Sequence, residues 1–211
     1  MSIGGITVPS FVTNNLDDND FIIKNSSPKI IIFENYNILK INKPIIKNFN
    51  QKRIITIEKH QSYVNYDLIL SEGGGKIKKQ NISLDDISTI IYTSGTSGKP
   101  KGVTLNHKSL IHNLFASLKI IEDFKIDNER FISFLPLSHS YERMAGLYFP
   151  LLIGAEIYFC SSLDKLMNEI KEIKPTIFSG VPRLFENIFK KIKSQTNNAG
   201  FFKRIILRVC F

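Results

Sequence analysis

Cysteine is scarce in this chain. Cys160 and Cys210 are the only two, both stand among apolar neighbours, and neither has metal-ligand spacing. They read as reduced core or near-surface thiols of a cytosolic protein. A chain of 211 residues is long enough to bury a core without disulfide or metal staples. Long apolar runs are missing too. The longest apolar patch, Leu147 to Ala155, is broken by Pro150 and Gly154. It falls far short of the about 18 residues that a membrane span needs. The opening Met-Ser-Ile-Gly-Gly-Ile lacks a basic region and a long apolar stretch, so it does not read as a signal peptide. These absences point to a cytoplasmic protein. Aromatic-basic repeats, zinc-finger spacing and internal repeats are also lacking. The net charge of +9 therefore reads as a lysine-rich solvated surface rather than a nucleic-acid footprint.

What is present is ordinary globular composition, 43% hydrophobic and 22% charged. Strand-like and helix-like segments alternate. Strands are expected at Ile6 to Val12 (interrupted by Pro9), Lys29 to Phe33, Arg53 to Glu58, Ile90 to Tyr92, Val103 to Leu105, Arg130 to Leu135, Glu156 to Cys160 and Thr176 to Phe178. Helices are expected after Asn14-Asn15, from Tyr36 to Ile41 (stopped before Pro44), from about His107 to Ile120, around Leu163 to Ile173, and through Leu184 to Phe189. Leu110, Ile111, Leu114, Phe115 and Leu118 recur at helical spacing behind a capping Asn106. This alternation gives an α/β fold with largely parallel sheets flanked by helices.

The chain is organised around Ile90-Ile-Tyr-Thr-Ser-Gly-Thr-Ser-Gly-Lys-Pro-Lys-Gly-Val103. A short apolar strand breaks into a loop that holds Thr93, Ser94, Gly95, Thr96, Ser97, Gly98, Lys99 and Lys101. Glycine admits positive φ and a close backbone approach. Successive amides in such a turn form an anion-binding concavity. Hydroxyls add donors and lysines add charge, which together suit a polyphosphate. The loop is not a Walker motif, because Lys99 is followed by Pro100 rather than a hydroxyl residue, and Thr93 stands where the first glycine belongs. A Rossmann glycine pattern is absent as well. A second polar cluster, Leu137-Ser-His-Ser-Tyr-Glu-Arg143, follows a strand's carboxyl end, where ligands bind in open α/β sheets. The two glycine-flanked ends of Glu72-Gly-Gly-Gly-Lys76 follow no strand-to-helix pattern and read as a plain turn.

The run Tyr92 to Gly102 resembles the phosphate loop of the adenylate-forming (AMP-binding) superfamily. Phe134 to Glu142, Lys174 to Phe185 and the opening Gly4 to Pro9 are similar to long-chain fatty acid–CoA ligases. This resemblance implies two half-reactions. A fatty carboxylate attacks the α-phosphate of Mg-ATP to give acyl-adenylate and pyrophosphate, and the thiol of coenzyme A then displaces AMP. The implied substrates are a fatty acid, ATP and CoA, with Mg2+ carried on the ATP and no metal ligand assigned to this chain. The implied phosphate cradle is Thr93, Ser94, Gly95, Thr96, Ser97, Gly98, Lys99 and Lys101, with Lys101 matching the lysine of the family pattern. His139 is implied to lie near the acyl-adenylate carbonyl; a strand-end histidine tied by hydrogen bonds is the plainer alternative. For Glu142 and Arg143, a place in that cluster and a surface ion pair stand level.

By the same resemblance, residues 1–211 read as a partial N-terminal domain of an adenylate-forming enzyme, with the small C-terminal domain and the adenine and ribose segments absent. The isolated chain is then expected to make little acyl-CoA. Two other readings stay open: a superfamily enzyme acting on an aryl or amino acid, and an inactive remnant or binding module. The basic, apolar tail Phe201 to Phe211 reads either as a membrane-surface helix or as a helix cut off from its packing partners.

Overall fold

The computed structural model describes residues 3–73, 75, 80–94, 98–123 and 127–197, with backbone alone at 188 and 191–197. The tail 201–211 lies outside the described residues, as do Gly95, Thr96 and Ser97 of the central loop.

The amino-terminal third is a three-stranded parallel sheet with two helices packed beside it. Its strands are β1 (Ile31–Phe33), β2 (Ile54–Thr56) and β3 (Val64–Asn65), in the order β1-β2-β3. Helices α1 (Leu16–Ser26) and α2 (Tyr36–Ile46) precede β1 and β2 respectively, and each starts on an asparagine whose side chain accepts a backbone N–H. Such caps satisfy donors that a helix leaves open at its start. Leu39, Asn42 and Ile46 recur along one stripe of α2 and are buried. Leu39 and Ile46 join Phe33 and Ile54 in the apolar core. That burial explains why α2 runs past Pro44, where the sequence suggests a stop. The proline costs one intrahelical bond, but continuing the helix brings Ile46 into the core.

Asn65 ends β3 and caps α3 (Tyr66–Glu72), accepting from the amides of Asp67 and Leu68. Next comes β4 (Ile87–Thr93), which pairs with β5 (Lys101–Asn106) in antiparallel register. Two of the three sheets are parallel, as a largely parallel fold requires, and this pair is the antiparallel exception. Only residues 94–100 join the two strands, too few for the crossover of a dozen or more residues that parallel pairing needs. Asn106 then caps α4 (His107–Ile120) by accepting from the amide of Ser109.

The third sheet pairs β6 (Arg130–Ser133) with β7 (Glu156–Phe159) in parallel. Between them run the single turn α5 (Ser140–Glu142), a π-helical stretch Arg143–Tyr148, and α6 (Phe149–Leu152). Pro150 has no N–H to offer the carbonyl of residue 146, and the chain crosses this point in the wider π register. Helices α7 (Leu166–Ile173) and α8 (Pro182–Asn197) complete the order.

Two expected strands shrink to single bridges. Ile6 to Val12 contributes only Thr7, which bridges Thr89; Pro9 cannot donate to a ladder. Thr176 to Phe178 contributes only Ile177, which bridges Phe131. There Thr176 turns its hydroxyl to Glu129 and accepts from the amide of Arg130, so it ties a loop rather than extending a sheet.

Candidate functional site

Strand β4 is buried along most of its length and emerges at its carboxyl end. Ser88, Thr89, Ile91 and Tyr92 are buried, whereas Thr93 and Ser94 are exposed. Tyr92 anchors that end. Its hydroxyl donates to Asn25 Oδ1 at 2.6 Å, and its ring meets the edge of Phe21 at 6.4 Å between centroids. Burial pushes the Tyr92 phenol above its ordinary value, a hydrogen bond with Ser26 opposing. The other face of the ring lies against Gly102, its cross-strand partner. A Cβ on Gly102 would stand 3.1 Å from Tyr92 Cζ and from Ile90 Cγ2, closer than ordinary van der Waals contact. Any larger residue here would press the Tyr92 or Ile90 side chain aside by a few tenths of an ångström.

One residue further out, Thr93 and Lys101 are direct cross-strand partners. Directly opposed residues put their side chains on the same face of the pair. An exposed hydroxyl and an exposed ammonium thus share one face at the mouth of the loop. Gly98 has φ +81 with open space around it, as a left-handed turn position requires. Lys99 and Lys101 are both exposed, and no ion pair among the described residues engages either. Thr93, Ser94, Gly98, Lys99 and Lys101 thus gather at one hairpin end. Gly95, Thr96 and Ser97 lie outside the described residues.

His139 belongs to a different strand end. It follows β6, caps α5, and is exposed. Its amide donates to Pro136 O at 2.9 Å, its Nδ1 accepts from the amide of Tyr141 at 3.4 Å, and its ring meets the edge of Phe11. No hydrogen bond or ring contact among the described residues joins it to Thr93, Lys99 or Lys101.

A polar node that the sequence did not suggest joins the turn after β6 to Thr89 in β4, four residues before Thr93. Glu142 is fully buried, which rules out the surface ion pair with Arg143. Its Oε1 accepts from Ser133 Oγ at 2.7 Å and from the Phe134 amide at 3.0 Å. Arg143 turns the other way and donates from Nη1 to Thr89 Oγ1 at 3.1 Å and, more weakly, to Thr7 Oγ1 at 3.5 Å. Thr89 in turn donates to Thr7 O at 2.8 Å. A carboxylate taken out of water is costly unless hydrogen-bonded, and here two donors meet one of its two oxygens. The one sequence signal was the pairing of a carboxylate with a glycine four residues on. A Cβ at Gly146 would stand 2.4 Å from Glu142 Oε1, so a larger residue there would displace the carboxylate from its present position.

Burial pushes the Cys160 thiol above its ordinary value, a hydrogen bond with Glu169 adding to the shift. The cleft that opens between Gly4, Ile82, Asp85 and His107 lies at the start of β4, the far end from Thr93 and Lys101.

The chain is thus an α/β protein whose basic hairpin end faces solvent. It belongs to the AMP-binding enzyme family, whose description matches residues 1–209. Over 152 residues it is 37% identical to long chain acyl-CoA synthetase 7, peroxisomal, of Arabidopsis thaliana, covering 70% of this chain and 21% of that protein. Over 219 residues it is 29% identical to the long-chain-fatty-acid–CoA ligase ACSBG2 of Homo sapiens, covering 95% of this chain and 32% of the relative. The chain therefore spans between about a fifth and a third of the length of these relatives. The fold is similar to the adenylation domain of a carboxylate reductase from Mycobacterium chelonae, with a TM-score of 0.76 at 18% identity, covering 92% of this chain and 34% of that one.

Proposed function

We propose that this chain forms the phosphate-side part of a long-chain fatty acid–CoA ligase of the AMP-forming kind, and that residues 1–211 are one portion of its AMP-binding domain. The observation that carries the reading is the Thr93–Lys101 pair, an exposed hydroxyl and ammonium on one face beside a left-handed glycine. Family membership and the ligase names of the relatives support it.

In the first half-reaction a carboxylate oxygen of the fatty acid bonds to the α-phosphorus of ATP, and the bond from that phosphorus to pyrophosphate breaks. The chemical difficulty is charge, because one anion approaches another and a polyanion leaves. Lys101, with Lys99 beside it, supplies positive charge. The hydroxyls of Thr93 and Ser94 supply donors, with Thr96, Ser97 and the amides of Gly95 and Gly98 assigned to the same cradle. Donors held in place before charge develops are the effective kind, and each charge-assisted bond contributes about 1.5–3 kcal/mol. In the second half-reaction the sulfur of CoA bonds to the acyl carbon, AMP leaves with the bonding electrons, and the thiol proton is released. His139 is assigned to the acyl-adenylate carbonyl, on the exposed turn after β6.

Mg2+ is assigned to the ATP phosphates. No residue of this chain is assigned to hold the metal.

The substrate class is tested by binding non-hydrolysable acyl-sulfamoyl adenosines to the purified chain. A palmitoyl analogue is expected to bind more tightly than a benzoyl one. Equal binding, or preference for the benzoyl analogue, overturns the long-chain assignment.

A further inference from the structure

The assigned phosphate residues sit at the end of β4 and the assigned carbonyl residue sits after β6, and these two strands do not pair with each other. Something else must set their spacing. We propose that Arg143 is a positioning residue: its bond to Thr89, with Glu142 locking the turn that carries it, sets His139 against the phosphate hairpin. The inference deepens the proposed function and rests on its assignment of Lys101 and His139.

Three observations carry it. First, the Arg143 side chain reaches from the turn after β6 to strand β4. It donates to Thr89 Oγ1 inside β4, four residues before Thr93 on the same strand. Secondly, Arg143 is tied to His139 through the backbone. The Arg143 amide donates to His139 O at 3.0 Å, so the two move as one helical turn. Thirdly, that turn cannot slide along β6. The carboxylate of Glu142 holds Ser133 Oγ and the Phe134 amide, and Gly146 packs against it without room for a Cβ. A displacement of β4 thus reaches His139 through this guanidinium, alongside the packing of Phe11 on His139 and of α4 on the 143–152 stretch, while the Glu142 bonds hold the β6 side.

The node is also only partly satisfied. Glu142 Oε2 and Arg143 Nε are buried with no hydrogen-bond partner among the described residues. Each buried polar atom left without a partner carries a desolvation cost.

The test compares two threonine variants in the purified 211-residue chain. Thr89→Val keeps the volume and removes the hydroxyl. Thr89→Ser keeps the hydroxyl and removes a methyl. Both lower the melting temperature, so a purely structural role orders them by stability. The positioning role orders them by the hydroxyl. The ring cross-peaks of His139, assigned by their loss in His139→Gln, should move in Thr89→Val and stay in place in Thr89→Ser. Arg143→Gln, made from the other side of the bond, should move them as Thr89→Val does, and it serves if the strand variant fails to fold. His139 signals unmoved in a folded Thr89→Val or Arg143→Gln, or moved equally by Thr89→Ser, overturn the proposal.

A second arm adds inorganic pyrophosphate. It should move the His139 peaks in the unaltered chain and not in Arg143→Gln, with pyrophosphate still bound by calorimetry. Peaks that still move in Arg143→Gln count against the proposal. Failure of the unaltered chain to bind pyrophosphate overturns the phosphate role of Lys101 instead, and the ligand-free comparison of the threonine variants still decides the link.

Discussion

The β1–β3 region buries an apolar core with the neutral Asn42, Thr56 and Asn65 at its edges, whereas the β6 region buries a charged group. Around β1–β3, Phe33, Leu39, Ile46 and Ile54 close an apolar core with Ile23, Ile38 and Tyr63 packed against it. Around β6, Phe131 and Ile132 are buried beside a carboxylate, Glu142, that is just as inaccessible to water. An apolar core is non-directional, so many side-chain arrangements of the right volume fill it. A buried carboxylate is directional, because it is tolerable only where donors meet it. The first kind of interior holds a layer together. The second fixes one turn relative to one strand, and it lies where the assigned carbonyl residue sits.

The comparison can be broken from either side, and the apolar side should give the largest effect. Leu39 is fully buried, and Leu39→Ala should cost about 2–5 kcal/mol of stability, measured by urea unfolding. A loss well below that range would mean that the helix collapses onto the vacancy. Gly146→Ala comes next. The added Cβ meets Glu142 Oε1 at 2.4 Å, and overpacking of this kind costs about 1–3 kcal/mol; an unchanged midpoint would mean that the carboxylate has another place to go. Glu142→Ala leaves Ser133 Oγ and the Phe134 amide without their acceptor, each at about 1–3 kcal/mol. Glu142→Gln keeps an acceptor oxygen and should cost clearly less, so equal losses would show that charge rather than hydrogen bonding matters there.

The smallest effect concerns pH and lies outside both interiors. The Ser161 hydroxyl donates to Glu169 Oε1 at 2.5 Å. That bond, followed by one from Cys160, holds the Glu169 carboxyl below its ordinary value of 4.5. A carboxyl with a lowered folded value stabilises the fold above 4.5 and loses that contribution as the pH falls through the folded value. Ser161→Ala should therefore lower the melting temperature slightly at pH 7, and the difference should fade in more acidic buffer. A difference that grows with acid would contradict the assignment.

Much of the fold was legible in the sequence because its elements announce themselves locally. Asn106 followed by a helical apolar stripe marked α4 at its observed start, and the apolar run at Ile90 marked β4. Pro44 misled, because the core contact made by Ile46 cannot be seen from the proline. Strand–helix alternation does not reveal the antiparallel hairpin; its signal is the shortness of segment 94–100, which leaves no room for a parallel crossover. At the candidate site, the sequence marked Thr93, Ser94, Gly98, Lys99 and Lys101, since glycine, hydroxyls and lysines need no tertiary context to suggest an anion. It did not mark the Thr7–Thr89–Arg143 connection, whose members lie 54 residues and more from Arg143 along the chain. Nor could it tell that Glu142 is buried. Burial of a charged side chain is decided by what packs over it, and its only local trace was Gly146.

The central claim is that Lys101 serves the β- and γ-phosphates rather than the nucleoside. It is tested most directly by calorimetric titration of pyrophosphate and of AMP into the purified chain and into Lys101→Ala. Loss of one charge-assisted bond, about 1.5–3 kcal/mol, should weaken pyrophosphate by about ten-fold or more and leave AMP nearly unchanged. Equal weakening of both ligands, or no weakening of pyrophosphate, would contradict it.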